Sequence, residues 1–326
     1  MTAMAPRASA GVDAVFLMAH GGPESLDDVE PFLRRVMKRR EPSPDEITTI
    51  RERYRRIGGK SPLLERTRQQ ATALEAELRQ QGRALPVYVG MRHWHPSIAT
   101  TVEQMRQDGI RSIIAISLAP HYSRMSVGAY IQTLHAALER PPHADGNFSS
   151  IMAVTVEGWH LQPRLLDAFA KKVMEALNLY PEGLRASVQL LFTAHSLPAQ
   201  ILAEGDPYPQ ALEESLFGIL ERLERAGQPP RPWRLAYQSR GLSTQPWLGP
   251  DVEAILRETP EGQHLLIVPI GFVCDHVEIL YDIDIFYQDI ARARKISLHR
   301  TESLNADPLF IQALAAVVQS QVSPHG

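Results

Sequence analysis

Val188-Gln189-Leu190-Leu191-Phe192-Thr193-Ala194-His195-Ser196-Leu197-Pro198 is a mostly apolar run that gives way to His-Ser-Leu-Pro. An apolar run of this length reads as a parallel strand covered on both faces, broken into a loop by a proline that has no N–H for a ladder. His195 then stands at the carboxyl end of a strand, where open α/β sheets place their ligand crevices. A second stretch answers it, Gly271-Phe272-Val273-Cys274-Asp275-His276-Val277-Glu278-Ile279-Leu280-Tyr281-Asp282-Ile283-Asp284. It follows another buried-type strand, 264–270, and runs into a helical pattern that carries several acids.

Working outward from these two stretches, strands and helices alternate along the chain. Strands are expected over 14–20, 87–91, 112–118, 151–156, 188–195, 234–237, 264–270 and 296–299. Helical patterns fall at 26–36, 47–57, 62–81, 98–107, 125–138, 161–179, 209–225, after Pro250, along the acidic stretch, and at 308–322. Gly58-Gly59 closes the second helix, as glycine does at helix C-termini. Alternation of this kind implies parallel sheets with right-handed crossovers, an α/β fold. An internal echo supports two halves. AVFLMAHGGP resembles VQLLFTAHSLP, YVGMRHWHP is answered by YQSRGLSTQPW, and ISLAPHYS by VPIGFVCDH. Two similar halves would then face a shared cleft, with His20 and His195 in matching places. The first is expected over 13–160 and the second over 161–305, with a closing helix 306–322 packed back on the first.

The 326 residues are enough for two domains, and 44% apolar content supports a sizeable core. A formal net charge of -3 gives no reason to expect nucleic acid. One cysteine, Cys274, excludes an internal disulfide and an all-cysteine metal or iron–sulfur site within the chain. No run approaches a membrane span and no signal-like segment opens the chain, so a soluble protein of the reducing cytoplasm is expected.

His195 fits a metal ligand or a proton acceptor. Ser196 is no nucleophile partner for it, because neighbouring strand residues point to opposite faces. Asp275, Glu278 and Asp282, spaced three and four apart, are expected to share a helix face, with Asp284 pointing elsewhere. Apolar neighbours around those acids would raise their pKa values and suit them to pass protons near neutrality. One His with one or two carboxylates also suits Fe²⁺, and two ligands alone would hold it only in transit. Arg53, Tyr54, Lys60 and Ser61 flank the glycine turn and suit carboxylates. Gly59-Lys60-Ser61 is not a phosphate loop: Tyr54 stands where glycine is required and no strand precedes it. His93 and His95, two apart, would suit ligands if a strand faced them one way, but Pro96 ends the strand there and a supporting or structural role is expected; the basic run 34–40 forms a solvated face or attracts an acidic substrate.

Together these motifs resemble those of ferrochelatases: AHGGP (19–23), RYRRIGGKSPLL (53–64), SLAPHYS (117–123), TAHSLP (193–198), PYP (207–209), YQSRGLSTQPWLGP (237–250) and GFVCDHVEILYDID (271–284). The likeness runs from about Val15 to Val322 and is strongest to the bacterial enzymes that metallate coproporphyrin III. It implies two Rossmann-like parallel-sheet halves of the chelatase kind facing a central cleft, and insertion of Fe²⁺ into a porphyrin in haem synthesis. Iron is then a substrate, with no tightly bound cofactor. The resemblance implies catalytic and iron-binding roles for His195 and Glu278. It implies porphyrin contacts for His20, Arg53, Tyr54, Ser61 and Tyr130, and a proton-relay or supporting role for Asp282 and His93. The partners implied are the porphyrin and Fe²⁺, with no nucleic acid and no transmembrane segment, though the enzyme could touch a membrane peripherally.

Three positions depart from the family pattern. His20 stands where close bacterial relatives show tyrosine, and a histidine there could also coordinate product iron axially. Met37 replaces a propionate-binding arginine of some relatives, with Lys38 and Arg39 beside it. Phe286 replaces an acid one turn beyond Asp282. Alternatives within the same cleft are protoporphyrin IX, cobalt insertion into a sirohydrochlorin, and passive haem or tetrapyrrole binding; a sugar- or amino-acid-binding protein is a more distant one.

Overall fold

The computed structural model describes residues 11–37, 40–140, 150–241 and 245–322. Lys38 and Arg39 of the basic run, and 242–244 of the YQSR motif, lie outside the described residues.

Among the described residues eight strands form two four-stranded parallel sheets. The first contains β1 (Ala14–Ala19), β2 (Val87–Met91), β3 (Ser112–Ser117) and β4 (Met152–Val156), in the order β2-β1-β3-β4. The second contains β5 (Gln189–His195), β6 (Trp233–Gln238), β7 (His264–Val268) and β8 (Ser297–Arg300), in the order β6-β5-β7-β8. The two orders are the same after a shift of four strands. The registers match as well. Leu17 lies between Val89 and Ile116, as Phe192 lies between Leu235 and Val268. The echo in the sequence is therefore a structural repeat, and His20 follows β1 as His195 ends β5.

Each half repeats a smaller device. After β2 the chain returns so that Met91 N–H donates to the Pro96 carbonyl at 2.7 Å, and Ser97 then caps α4 (Ile98–Gln107). After β6, Tyr237 N–H donates to the Pro250 carbonyl at 2.8 Å, and Asp251 caps α9 (Val252–Glu258). The return loop of the first half is short, so β2 ends at Met91, as expected, and neither His93 nor His95 lies on it. His93 turns inward and is buried, whereas His95 is exposed at 3.0 Å from Arg35. The two histidines do not share a face.

Alternation along the central strands divides the core. Phe16 and Met18 point to a layer formed with Ile98, Val102, Met105 and Leu134 of α4 and α5 (Val127–Leu138). Leu191, Leu265 and Ile267 point to a matching layer under α9 and the acidic helix. Val15, Leu17, Leu190 and Phe192 point the other way, into one core shared by both sheets. Two helices close this shared core. The helix that follows β4, α6 (Pro163–Leu177), packs against α8 (Tyr208–Arg225) of the second half. The helix that follows β8, α11 (Pro308–Gln321), packs against α3 (Leu63–Gln80) of the first half, and also against α6.

The remaining segments shape the cleft. Two helices, α1 (Val29–Val36) and α2 (Pro44–Arg56), form one wall, with a capping box at Ser43 and Glu46 starting α2. Gly58 and Gly59, at φ of 101° and 86°, turn the chain out of α2 through a conformation closed to most side chains. A short α7 (Gln200–Ala203) precedes α8, and α10 (Gln288–Ala293) follows the acidic helix. That acidic helix, Glu278–Tyr287, is a π-helix, in which each backbone hydrogen bond reaches one residue farther than in an α-helix. Among the described residues no helix is long and apolar enough to cross a membrane.

Candidate active site

The carboxyl ends of β1 and β5, with the loops after β3 and β7, open on a cleft of about 440 Å³. Its lining includes His20, Arg53, Tyr54, Ser61, Tyr130, His195, Glu278 and Asp282. Of the residues given a role by the resemblance, His93 is not part of this lining, and its ring centroid lies 4.6 Å from that of His20; Lys60, expected beside Arg53, Tyr54 and Ser61, lies outside the cleft.

His195 reaches the cleft because β5 carries it to the sheet's edge, and the Tyr208 hydroxyl donates to its carbonyl at 3.0 Å. The loop after β7 must pass directly over this strand end. Gly271 makes that possible, since a Cβ there would lie 2.7 Å from the Ala194 Cβ. The loop delivers Glu278, whose Oε2 lies 3.0 Å from His195 Nδ1. The Gln238 side chain donates to the Glu278 carbonyl at 2.9 Å and anchors the start of the π-helix. Ser196 points away, donating to the Leu248 carbonyl at 2.9 Å, so it forms no dyad with His195.

Burial opposes charge on both members of the pair, but their mutual attraction prevails. Burial lowers the His195 pKa, and the Glu278 charge and hydrogen bond, joined by Asp282, lift it above the ordinary histidine value. Burial raises Glu278, and His195 with His276 hold it well below the ordinary carboxylate range. An ionised Glu278 accepts the Nδ1 proton of His195 and leaves Nε2 to face the cleft. That nitrogen can hold a proton or a metal ion, but not both at once.

Asp282 behaves differently. Burial and the nearby Glu278 push it up to about 6, against the Ser239 hydrogen bond and the Arg53 charge. The Ser239 hydroxyl donates to Asp282 Oδ2, and Arg53 Nη1 lies 3.6 Å from Oδ1. Glu278 and Asp282 thus share the cleft face, as expected. Asp275 does not join them. It lies ahead of the helix, its N–H donating to Asn305 at 3.0 Å, with Arg300 at 3.7 Å and Arg66 at 3.8 Å from its carboxylate. The helix begins three residues later than a continuous pattern suggests, so the shared face starts at Glu278. Asp284 points elsewhere, paired with Arg300 at 2.6 Å.

Across the cleft, His20 Nδ1 lies 3.1 Å from the Gly21 carbonyl, which can only accept, so Nδ1 carries the proton and Nε2 a free lone pair. Burial, with Arg92 and His195 nearby, lowers the His20 pKa and keeps the ring neutral. Tyr54 and Tyr130 are buried phenols whose pKa values burial raises, and Arg92 lies 5.4 Å over the Tyr130 ring. Phe32, Leu33 and Val36 of α1, with Met37 just past its end, add an apolar wall, and Arg53 and Arg240 add cations to the lining.

Several lining residues carried no role in the sequence reading. Ser239 and Arg240 lie in the YQSR motif, and His276 in GFVCDH, so all were visible in motifs without a function attached. His276 Nδ1 donates to the Cys274 carbonyl at 2.9 Å and its Nε2 lies 3.8 Å from Glu278. His121 is also in the lining; burial first, then His160, takes its pKa down to about 3, so it stays neutral. It donates to Ser215 at 2.8 Å and is a polar pin between the halves. Among the described residues no group of three or more His, Cys, Asp or Glu side chains is arranged to hold a metal ion.

Comparison with known proteins gives this geometry a family. The sequence model of the ferrochelatase family matches residues 12–322. The chain is 41% identical over 312 residues to a ferrochelatase of Herpetosiphon aurantiacus, covering 94% of this chain and 98% of the relative. It is 35% identical over 317 residues to a coproporphyrin III ferrochelatase of Geobacillus thermodenitrificans, covering 96% of each. The fold is similar to that of a solved structure of SirB from Bacillus subtilis with Fe³⁺, with a TM-score of 0.55 at 14% identity over 96% of both chains. Family match, relatives and repeated sheets agree: the chain belongs to the ferrochelatase family, enzymes that insert ferrous iron into a porphyrin in haem biosynthesis.

Proposed function

We propose that the preferred porphyrin is coproporphyrin III, and that His195 and Glu278 are the pair that meets the iron and removes the pyrrole protons. The observation that carries this reading is the His195–Glu278 contact of 3.0 Å inside a cleft that also presents Arg53 and Arg240. Coproporphyrin has four propionates, and a lining that includes two guanidinium groups suits several carboxylates.

Insertion breaks two pyrrole N–H bonds, forms iron–nitrogen bonds, releases two protons and moves no electron. His195 Nε2 takes a proton or presents the iron. Ionised Glu278 steadies the imidazolium and passes charge toward Asp282, whose pKa near 6 suits proton exchange close to neutrality. His20 faces this pair with a free Nε2 and would serve as an axial ligand to product iron. His93 supports the His20 ring. Tyr54, Tyr130 and Ser61 line the macrocycle's seat, with Arg53 at its carboxylates. We take the halves 13–160 with 306–322, and 161–305, as the jaws of the cleft, and the cytoplasm as its compartment.

A second reading, protoporphyrin IX, draws on the apolar wall of Phe32, Leu33, Val36 and Met37, which would accept vinyl groups. Anaerobic Fe²⁺ insertion followed by absorbance, with each porphyrin offered separately, separates the two. A kcat/KM at least ~10-fold higher for coproporphyrin III is expected, the advantage of about one charge-assisted contact. The reverse preference would assign the wall, rather than the cations, as the determinant.

A further inference from the structure

Arg53 has two claims on it. It lies in the cleft lining on α2, with its guanidinium about a third exposed, where an incoming carboxylate meets it. It also stands 3.6 Å from Asp282, a carboxylate that is 7% exposed. Its plane lies 5.3 Å over Tyr281, so it is seated on the π-helix by the ring and by the acid together. Asp282 has a second tether. Ser239, at a φ of 58°, is held in a left-handed turn that aims its hydroxyl at Asp282 Oδ2. Removing Arg53 therefore leaves Asp282 in place.

We propose that Arg53 is a shared cation: a peripheral carboxylate of the substrate takes it from Asp282, and Asp282, still held by Ser239, then becomes the acceptor of a pyrrole proton. The inference rests on the reading of the cleft as a porphyrin site. The groups that face Asp282 set its direction. Arg53 and Ser239, together with His276, favour its ionised form, whereas burial and Glu278 disfavour it. Tyr54 and Tyr287 are buried phenols whose own pKa values rise partly through Asp282, so they bring no compensating charge. With the guanidinium engaged by substrate, the main cation is gone and Asp282 becomes more basic by roughly one pH unit, or tenfold in proton affinity. An N–H bond of the pyrrole breaks and, through the His195–Glu278 pair, an O–H bond forms on Asp282; no electron moves.

This arrangement makes the acceptor depend on occupancy. The free enzyme keeps Asp282 paired with Arg53, and the substrate itself strengthens the base that serves it. A carboxylate-bearing porphyrin does this, and an esterified one does not.

The test is proton uptake on binding without metal. Full-length protein is mixed with metal-free coproporphyrin III at pH 6 in weak buffer with an indicator dye, and binding is followed by the porphyrin absorbance. Uptake of a fraction of a proton per porphyrin is expected. It should be absent with the tetramethyl ester, and lost in both Asp282→Asn and Arg53→Gln. In turnover, the acidic limb of kcat, which reports the complex, should lie about one pH unit above that of kcat/KM, which reports the free enzyme. Arg53→Gln should bring the two limbs together. Binding without uptake, equal uptake with the ester, or uptake that survives Asp282→Asn would overturn the inference while leaving the proposed function standing. A porphyrin that fails to bind would overturn the proposed function, and this inference with it. The ester comparison uses the unaltered protein, so the result does not hang on a variant folding.

Discussion

At the end of β5 one imidazole meets one carboxylate, and four positions along the π-helix a second carboxylate is kept near neutrality. Burial raises both carboxylates, but Glu278 faces two imidazoles that more than offset it, whereas the Ser239 hydroxyl and the Arg53 guanidinium at 3.6 Å do not offset it at Asp282. The second arrangement costs stability. The folded pKa of Asp282, about 6, lies above its usual 3.8, so the folded protein binds more protons between these values. The penalty is absent below the unfolded pKa and complete above pH 6. Asp282→Asn should therefore stabilise the protein by about 1–3 kcal/mol at pH 8 while slowing turnover. Thermal melts should show the gain shrinking as pH falls through 6; a gain independent of pH would remove ionised Asp282 as its source. The placement of His195, Glu278 and Asp282 on one cleft was legible in the sequence because strand ends and acid spacing are local features. Ser239 was not, because its role depends on a left-handed turn that the residue type does not announce. Asp275 was assigned to the wrong face because the spacing of acids does not reveal where a helix begins.

Among the elements, strands buried on both faces were the plainest feature of the sequence, and each expected strand exists within a few residues. Helices with strong period and clear caps, such as α4 and α11, were equally plain. A loop can override a pattern. His93-Trp94-His95 has strand-like alternation, but the hydrogen bond from Met91 N–H to the Pro96 carbonyl turns the chain at once. A π-helix has no simple pattern of its own, and four-residue spacing still places Glu278 and Asp282 together. The close passage of the β7 loop over β5 makes Gly271 the most exacting position in the cleft. Gly271→Ala forces a Cβ to 2.7 Å from Ala194, so strand end and loop must part. A loss of about 1–3 kcal/mol in stability is expected from such overpacking, with a larger fall in kcat than in porphyrin affinity. Unchanged kcat would mean that the His195–Glu278 distance does not depend on this contact.

The whole molecule is two copies of one sheet joined through a single core. The repeat was readable in the echo of AHGGP and TAHSLP, because equivalent strand ends face the same cleft. Phe310 of α11 is fully buried in the shared core. Phe310→Ala should cost about 3–5 kcal/mol, and loss should fall on both halves in one cooperative transition. Two separate transitions by calorimetry would show that the halves do not depend on this core. Such coupling keeps His20 and His195 facing each other while the loops around them carry the chemistry.

The most direct test of that chemistry is anaerobic Fe²⁺ insertion into coproporphyrin III by His195→Ala beside the unaltered enzyme, with porphyrin binding measured on the same samples. The account predicts a fall in kcat of at least ~100-fold with porphyrin affinity nearly unchanged, because it assigns His195 to the proton and the iron. Turnover that survives the substitution would contradict it, and would move the base and the iron contact to another group in the cleft.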